Sequence, residues 1–84
     1  MLNSYPSLDL HGEYVDNAII LTKDFINDNI ILKNEYVVII HGIGQDILRK
    51  HLHEYLKHEK KVLSYKRDFF NMGCTIVKLD IENK

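Results

Sequence analysis

An aspartate and a histidine two residues apart, Asp9 and His11, lie in the run Leu8-Asp9-Leu10-His11-Gly12, and a second histidine opens the turn His41-Gly42-Ile43-Gly44. An imidazole titrates near ~6.5, so it takes up or releases a proton at neutral pH, and a nearby carboxylate can fix its tautomer. If the two segments meet, one ring can act as base and the other as acid, with Asp9 as the orienting group. A histidine that only closes a strand with a hydrogen bond is the alternative at each position. Gly42 and Gly44 supply flexible backbone that can aim several N–H groups at one anion, at the start of a helix whose dipole favours negative charge. A bare Gly-x-Gly is also a common tight turn. Arg49, about one turn into that helix and followed by Lys50, can clamp the same anion, or simply sit in solvent.

These groups are useful only if the chain brings them together, and the surrounding pattern says how. Ser7 to His11 alternates and is bounded by Pro6 and Gly12, which reads as a strand with Asp9 and His11 on one face and Leu8 and Leu10 on the other. Val15, Ala18, Ile19, Thr22, Ile26 and Ile30 recur at helical spacing and mark an amphipathic helix from about Tyr14 to Leu32, with Asn34 as its stop. Tyr36 to Ile40 is a continuous, β-branched apolar run, suited to a strand covered on both faces. Leu48, Leu52, Tyr55 and Leu56 define a second helix from about Gln45 to His58, with Asp46 placed to cap or charge its first turn. Val62 to Phe69 and Cys74 to Ile81 read as two strands of a hairpin turning at Asn71-Met72-Gly73. The order is therefore β-α-β-α-β-β. A right-handed crossover makes the first two strands parallel, with both histidines expected on one rim of the sheet. The pairing of the last two strands stays open.

Other residues carry weaker signals. His51, His53 and His58 crowd the second helix, but His51 and His53 point to different sides of it, unlike a metal-ligand pair spaced by four, so all three are expected at the surface. Lys60-Lys61 reads as a solvated turn or a backbone contact. Tyr65, Phe69 and Phe70 can stack on nucleobases, or serve as core and edge cover in a small sheet.

Composition bounds the rest. The 84 residues are 45% apolar and 27% charged, an ordinary mixture for one globular domain spanning 1–84 with its core at about 7–81. The net charge of −1 excludes a globally basic surface of the kind that neutralises many phosphates, although Arg49, Lys50, Lys57, Lys60, Lys61, Lys66 and Arg67 can form a local basic patch. No apolar run approaches the ~20 residues of a membrane span. Cys74 is the single cysteine, which excludes an intrachain disulfide and a thiolate metal cluster. The first residues lack the pattern of a secretory signal, so a cytoplasmic protein is expected.

The motifs resemble those of the Smr (small MutS-related) domain. Leu8-Asp9-Leu10-His11-Gly12 matches the signature that opens it, and Ala18 falls where the family places an alanine in the first helix. Val38-Ile39-Ile40-His41-Gly42-Ile43-Gly44 followed by Leu48-Arg49 is similar to its second signature, and Gly73-Cys74-Thr75-Ile76-Val77-Lys78-Leu79 to its closing strand. The resemblance implies an α/β two-layer sandwich of a four-stranded mixed sheet and two helices, similar to the C-terminal domain of translation initiation factor three. It implies nucleic acid as partner (RNA, branched or nicked DNA, or RNA on a ribosome), and cleavage or nicking with Asp9, His11 and His41 at the cleavage positions and Gly42 and Gly44 in the phosphate-contacting turn. Such domains stand alone or end larger MutS-type proteins. Two residues depart from the pattern: Ile43 replaces a usual Lys or Arg, and Asp46 a common Gly. Both weaken the hold on phosphate. The expectation is an endonuclease acting through a ribose 2′-OH or an activated water. No cofactor is expected, and a divalent metal is left open. The competing expectation is a non-catalytic module that docks on nucleic acid or a ribosome, and a small-molecule phosphate site is a third.

Overall fold

The computed structural model describes residues 5–82. Its elements are β1 (Ser7–Asp9), α1 (Val15–Ile31), β2 (Tyr36–Ile40), α2 (Asp46–His58), β3 (Val62–Arg67) and β4 (Cys74–Leu79). The β-α-β-α-β-β order is the expected one, and each boundary lies within two residues of its expected place. One sheet carries all four strands in the order β1-β2-β4-β3. β1 is parallel to β2, and β4 is antiparallel to both β2 and β3. Thus β1, β2 and β3 run in one direction, with β4 inserted between the last two. No helix among the described residues is long and apolar enough to cross a membrane.

The handedness of the crossovers explains the two layers. The steps from β1 to β2 and from β2 to β3 move the same way across the sheet, so two right-handed connections lay both helices on one face. Leu10, Val37, Ile39, Val77 and Leu79 point into that face and are fully enclosed. α1 covers them with Ala18, Thr22, Ile26 and Asn29, and α2 with Leu48, Leu52 and Leu56. The two polar members of the α1 stripe are satisfied locally: Thr22 Oγ1 donates to the Ala18 carbonyl at 2.8 Å and Asn29 Nδ2 to that of Phe25 at 2.8 Å. Burial at this spacing is what turns a marginal isolated helix into a stable one.

The end of α1 contains a local misfit. Lys33 adopts φ 65°, while Lys33 N–H donates to Ile30 O at 3.0 Å and Asn34 N–H to Asn29 O at 2.8 Å. This is the bond pattern of a Schellman cap, in which the left-handed position favours glycine. The expected stop at Asn34 is found, but lysine holds the strained residue. Lys33→Gly should therefore raise stability by about 0.5–1 kcal/mol, or ~2–8 °C in Tm. Thermal unfolding checks this, and a lowered Tm contradicts it.

Candidate functional site

Three parallel strands deliver their carboxyl ends to one rim: Asp9–His11 after β1, His41–Gly44 after β2, and Arg67–Phe70 after β3. This is the edge at which open α/β sheets bind ligands.

Asp9 and His11 form a solvent-facing pair. The Asp9 carboxylate Oδ1 accepts the His11 backbone N–H at 3.1 Å and lies 2.7 Å from His11 Nδ1. An ionised carboxylate can only accept, so Nδ1 carries the proton and the free Nε2 faces solution. The same hydrogen bond holds the Asp9 carboxyl below its usual range and raises the His11 pKa. The side chains are 53% and 70% exposed, so both can meet an approaching molecule. Gly12, at φ +83°, turns the chain sharply away after His11.

The glycine turn lies against this pair. Gly42 and Gly44 have φ +94° and +85°, and a Cβ on Gly42 would stand 3.4 Å from the His11 Cβ and 3.2 Å from Gln45 Cγ. The first glycine therefore answers both to conformation and to close approach, the second to conformation. The Gly42 N–H does not point at an anion as expected. It and the His41 N–H both donate to the Gly73 carbonyl at 2.9 Å, so its backbone is tied to the β3–β4 hairpin. Beyond it, the first backbone bond of α2 is Arg49 N–H to Gln45 O at 2.9 Å, and the preceding N–H groups of the helix start lack backbone partners within α2, as at any helix start. Gln45 is the N-cap and makes no side-chain capping bond, while Asp46 supplies negative charge to the first turn.

His41 is placed differently from His11. β1 and β2 pair Leu8 with Ile39 and Asp9 with Ile40. Side chains alternate along a strand, so Asp9 shares the open face with Ile40, whereas His41 shares the helix-covered face with Val37 and Ile39. Both histidines lie on one rim, as expected, but the expected shared pocket is absent. The His41 ring is 0% exposed, and in this arrangement it does not reach a substrate.

What surrounds His41 is a directed chain of hydrogen bonds. Its Nδ1 lies 3.3 Å from the Gly42 carbonyl and its Nε2 2.9 Å from Thr75 Oγ1, which is in turn 2.8 Å from His53 Nε2. The carbonyl can only accept, so Nδ1 of neutral His41 donates and Nε2 must accept the Thr75 hydroxyl proton. Thr75 then accepts from His53 Nε2–H. His53 also packs edge-on against His41 and Tyr65, at 6.2 and 5.0 Å between ring centres. It is thus no surface residue, contrary to expectation, while His51 and His58 are exposed. The missed signal was its position four after Arg49, on the border of the Leu48-Leu52-Leu56 stripe.

Two arginines border this cluster. The Arg49 side chain is 20% exposed, its Nη2 reaches Asp46 Oδ1 at only 3.4 Å, and its enclosed Nε has no partner. Arg67, not singled out as a site residue from sequence, donates Nε–H to the Met72 carbonyl at 2.8 Å. Burial first, and then the charges of Arg49 and Arg67, push His53 down to about 4, and burial chiefly lowers His41. Lys50 stands exposed on the outer side of α2.

The depressed imidazoles have a consequence for stability. Above neutral pH both rings are uncharged in the folded and unfolded chain alike. As pH falls below 6.5 the unfolded chain takes up protons that folded His53 refuses until about 4, so stability rises with pH across that window and is lost on acidification. The loss should be on the order of 2 kcal/mol after allowing for partial solvation. Urea unfolding between pH 7 and 4 measures it. His53→Gln should flatten the slope, and an unchanged slope contradicts the assignment.

Cys74 is buried, and burial with the neighbouring Asp68 and Asp9 carboxylates raises its thiol pKa, which suits packing and not nucleophilic chemistry. Among the described residues no group of three His, Cys, Asp or Glu side chains is arranged to hold a metal ion.

Comparison with known proteins agrees with this architecture. The family described as Smr domain matches residues 8–80. Endonuclease MutS2 of Helicobacter pylori is 39% identical over 72 residues, covering 86% of this chain and 9% of the relative. Endonuclease MutS2 of Finegoldia magna is 36% identical over 75 residues, covering 86% of this chain and 10% of that protein. The chain thus spans about a tenth of the length of these curated relatives. The crystal structure of the Smr domain of Thermus thermophilus MutS2 superposes with a TM-score of 0.85 at 26% identity, covering 89% of this chain and 98% of that one. That of YdaL, a stand-alone small MutS-related protein from Escherichia coli, gives 0.84 at 26% identity over 93% of this chain and 70% of that one. With its motifs, strand order and rim in place, the chain belongs to the Smr domain family.

Proposed function

We propose that this domain binds nucleic acid across the rim and cleaves or nicks a phosphodiester there, with His11 as the imidazole that meets the substrate and Asp9 as its orienting partner. The observation that carries the reading is the exposed 2.7 Å Asp9–His11 pair set directly against the Gly42 turn. In one version His11 Nε2 takes the proton of a ribose 2′-OH, whose oxygen bonds to the adjacent phosphorus to give a 2′,3′-cyclic phosphate as the bond to the 5′ oxygen breaks and that oxygen takes a proton from water. In the other it activates a water, which needs no 2′-OH. The backbone N–H groups ahead of Arg49 and the Arg49 guanidinium would hold the phosphate charge, with Lys50 reaching a neighbouring phosphate. His41 acts as a positioning residue, holding the Gly42 carbonyl from inside.

RNA and its all-deoxy counterpart, with nicked and branched duplexes, separate these versions when incubated with and without chelator. Products from RNA alone select transesterification. Products from the deoxy strand select hydrolysis, and loss with chelator assigns a metal to it. Absence of products from every substrate sinks the cleavage reading. If His11 is the base, activity rises with pH through its raised pKa, and Asp9→Asn, which removes the cause of that rise, moves the limb to lower pH besides slowing the reaction. An unmoved limb assigns the titration to another group.

A second reading, docking without cleavage, is favoured by the mouth of the turn itself. Ile43 is 77% exposed and Asp46 is exposed beside it, so an apolar and an acidic side chain stand where a cation would aid phosphate binding. Salt-sensitive binding that yields no products and is unchanged by His11→Ala is its signature.

A further inference from the structure

The rim carries two aromatic rings that the fold does not use. Phe69 and Phe70 are 84% and 92% exposed. Neither lies in a strand, because β3 ends at Arg67, so they serve as neither core nor edge cover. Their rings meet edge to face at 5.2 Å and 86°, so one ring has a face covered by its partner's edge and the other keeps both faces clear of its partner.

The backbone holds them there. Asp68 is only 4% exposed, and its Oδ1 accepts the Phe70 N–H at 3.0 Å. Asn71 Oδ1 accepts the Gly73 N–H at 3.1 Å. These two side-chain turns brace the tip. The tip is also joined to the proposed cleavage rim. A Cβ on Gly73 would lie 2.9 Å from the Ile43 nitrogen and 3.1 Å from the Gly42 carbonyl carbon, and the Gly73 carbonyl takes both N–H bonds of His41 and Gly42. Only Asn71 and Met72 lie between Phe70 and Gly73, a span of at most about 10 Å. The residues that lead into the tip, Lys66 and Arg67, are cationic.

Cations for the backbone beside open aromatic faces for the bases are the means by which single strands are held. A base inside a duplex has both faces covered by its neighbours and cannot stack on protein. We propose that Phe69 and Phe70 form a stacking platform for an unpaired nucleobase on the same rim as the phosphodiester held at Asp9 and His11, across the strand ends from it, so that the domain selects strands unpaired at that point over continuous duplex. This rests on the proposed function above for its ligand class.

The test measures anisotropy of labelled single-stranded oligonucleotides and of a blunt duplex of the same sequence, all with the His11→Ala chain so that no turnover intervenes. Phe69→Ala/Phe70→Ala should weaken single-strand binding about 10- to 100-fold and duplex binding less than about twofold, with Tm unchanged because the rings are exposed. Phe70→Trp should retain affinity, and its fluorescence should be quenched by the single strand. Single-strand affinity unchanged in the double alanine variant overturns the platform and leaves the cleavage reading standing. Equal loss on single strand and duplex also overturns it, as does a concentration-dependent dimer that the double variant abolishes. Binding to neither nucleic acid removes both proposals. Cleavage by the parent chain that is insensitive to Asp9→Asn, together with selective loss on the phenylalanine variant, removes the dyad and keeps the platform.

Discussion

Replacing His11 by alanine should lower phosphodiester cleavage by about 10²–10⁴-fold, the range for losing a positioned acid–base group. The folded state should remain essentially as stable. The ring is 70% exposed and its one side-chain bond is to Asp9, itself 53% exposed, and exposed pairs of this kind contribute little to folding. The combination is diagnostic. A single-turnover assay reads the rate, and thermal unfolding of the same sample reads the fold. Cleavage that survives His11→Ala places the chemistry elsewhere, and a parallel fall in Tm assigns the ring a packing role.

His41→Ala should give the opposite profile: a loss of about 2–4 kcal/mol in stability, followed by loss of activity as the rim loosens. Three effects add. The imidazole is wholly enclosed, so its removal leaves a void under α2. The Thr75 hydroxyl loses the acceptor at 2.9 Å and keeps a buried proton to satisfy. The Gly42 carbonyl loses the ring that faces it at 3.3 Å, beside the turn that abuts His11. For a chain of 84 residues, whose total stability is expected near the lower end of ~5–15 kcal/mol, that is a large fraction. Urea unfolding measures the loss. A variant as stable as the parent would contradict the relay of His53, Thr75 and His41, and His41→Gln, which can still accept from Thr75, should recover part of it.

The contrast between the two histidines also shows what the sequence could and could not tell. Ser7 to His11 alternates apolar and polar residues, so the side of β1 that carries Asp9 and His11 was readable without coordinates. Tyr36 to Ile40 is apolar throughout, and both faces of β2 satisfy such a run equally. Nothing in it says whether 37, 39 and 41 or 36, 38 and 40 face the helices. The register of Leu8 with Ile39 decides it, and that depends on how two separate segments align. His41 therefore went inside while His11 stayed out. The insertion of β4 between β2 and β3 has the same origin, since a hairpin pattern does not say which of its strands joins the rest of the sheet. It also brings Thr75 beneath His41 and His53, which is why His53 read as a surface residue from its helix alone. The glycine turn was legible as a turn, with positive φ at both glycines, but the use of the Gly42 N–H by Gly73 was not, because the partner is 31 residues away (73 minus 42). Local chemistry was readable; the side it faces came from long-range pairing.

Nucleic acid is proposed to occupy the rim where β1, β2 and β3 end. Titrating the ¹⁵N-labelled chain with a non-cleavable phosphorothioate oligonucleotide tests it most directly. The largest amide and ring shifts are expected at Asp9–Gly12, Ile43–Gln45 and Phe69–Phe70, while His58, Lys60 and Lys61 at the opposite end stay put. Shifts concentrated on that opposite end, with the His11 ring unmoved, would contradict it.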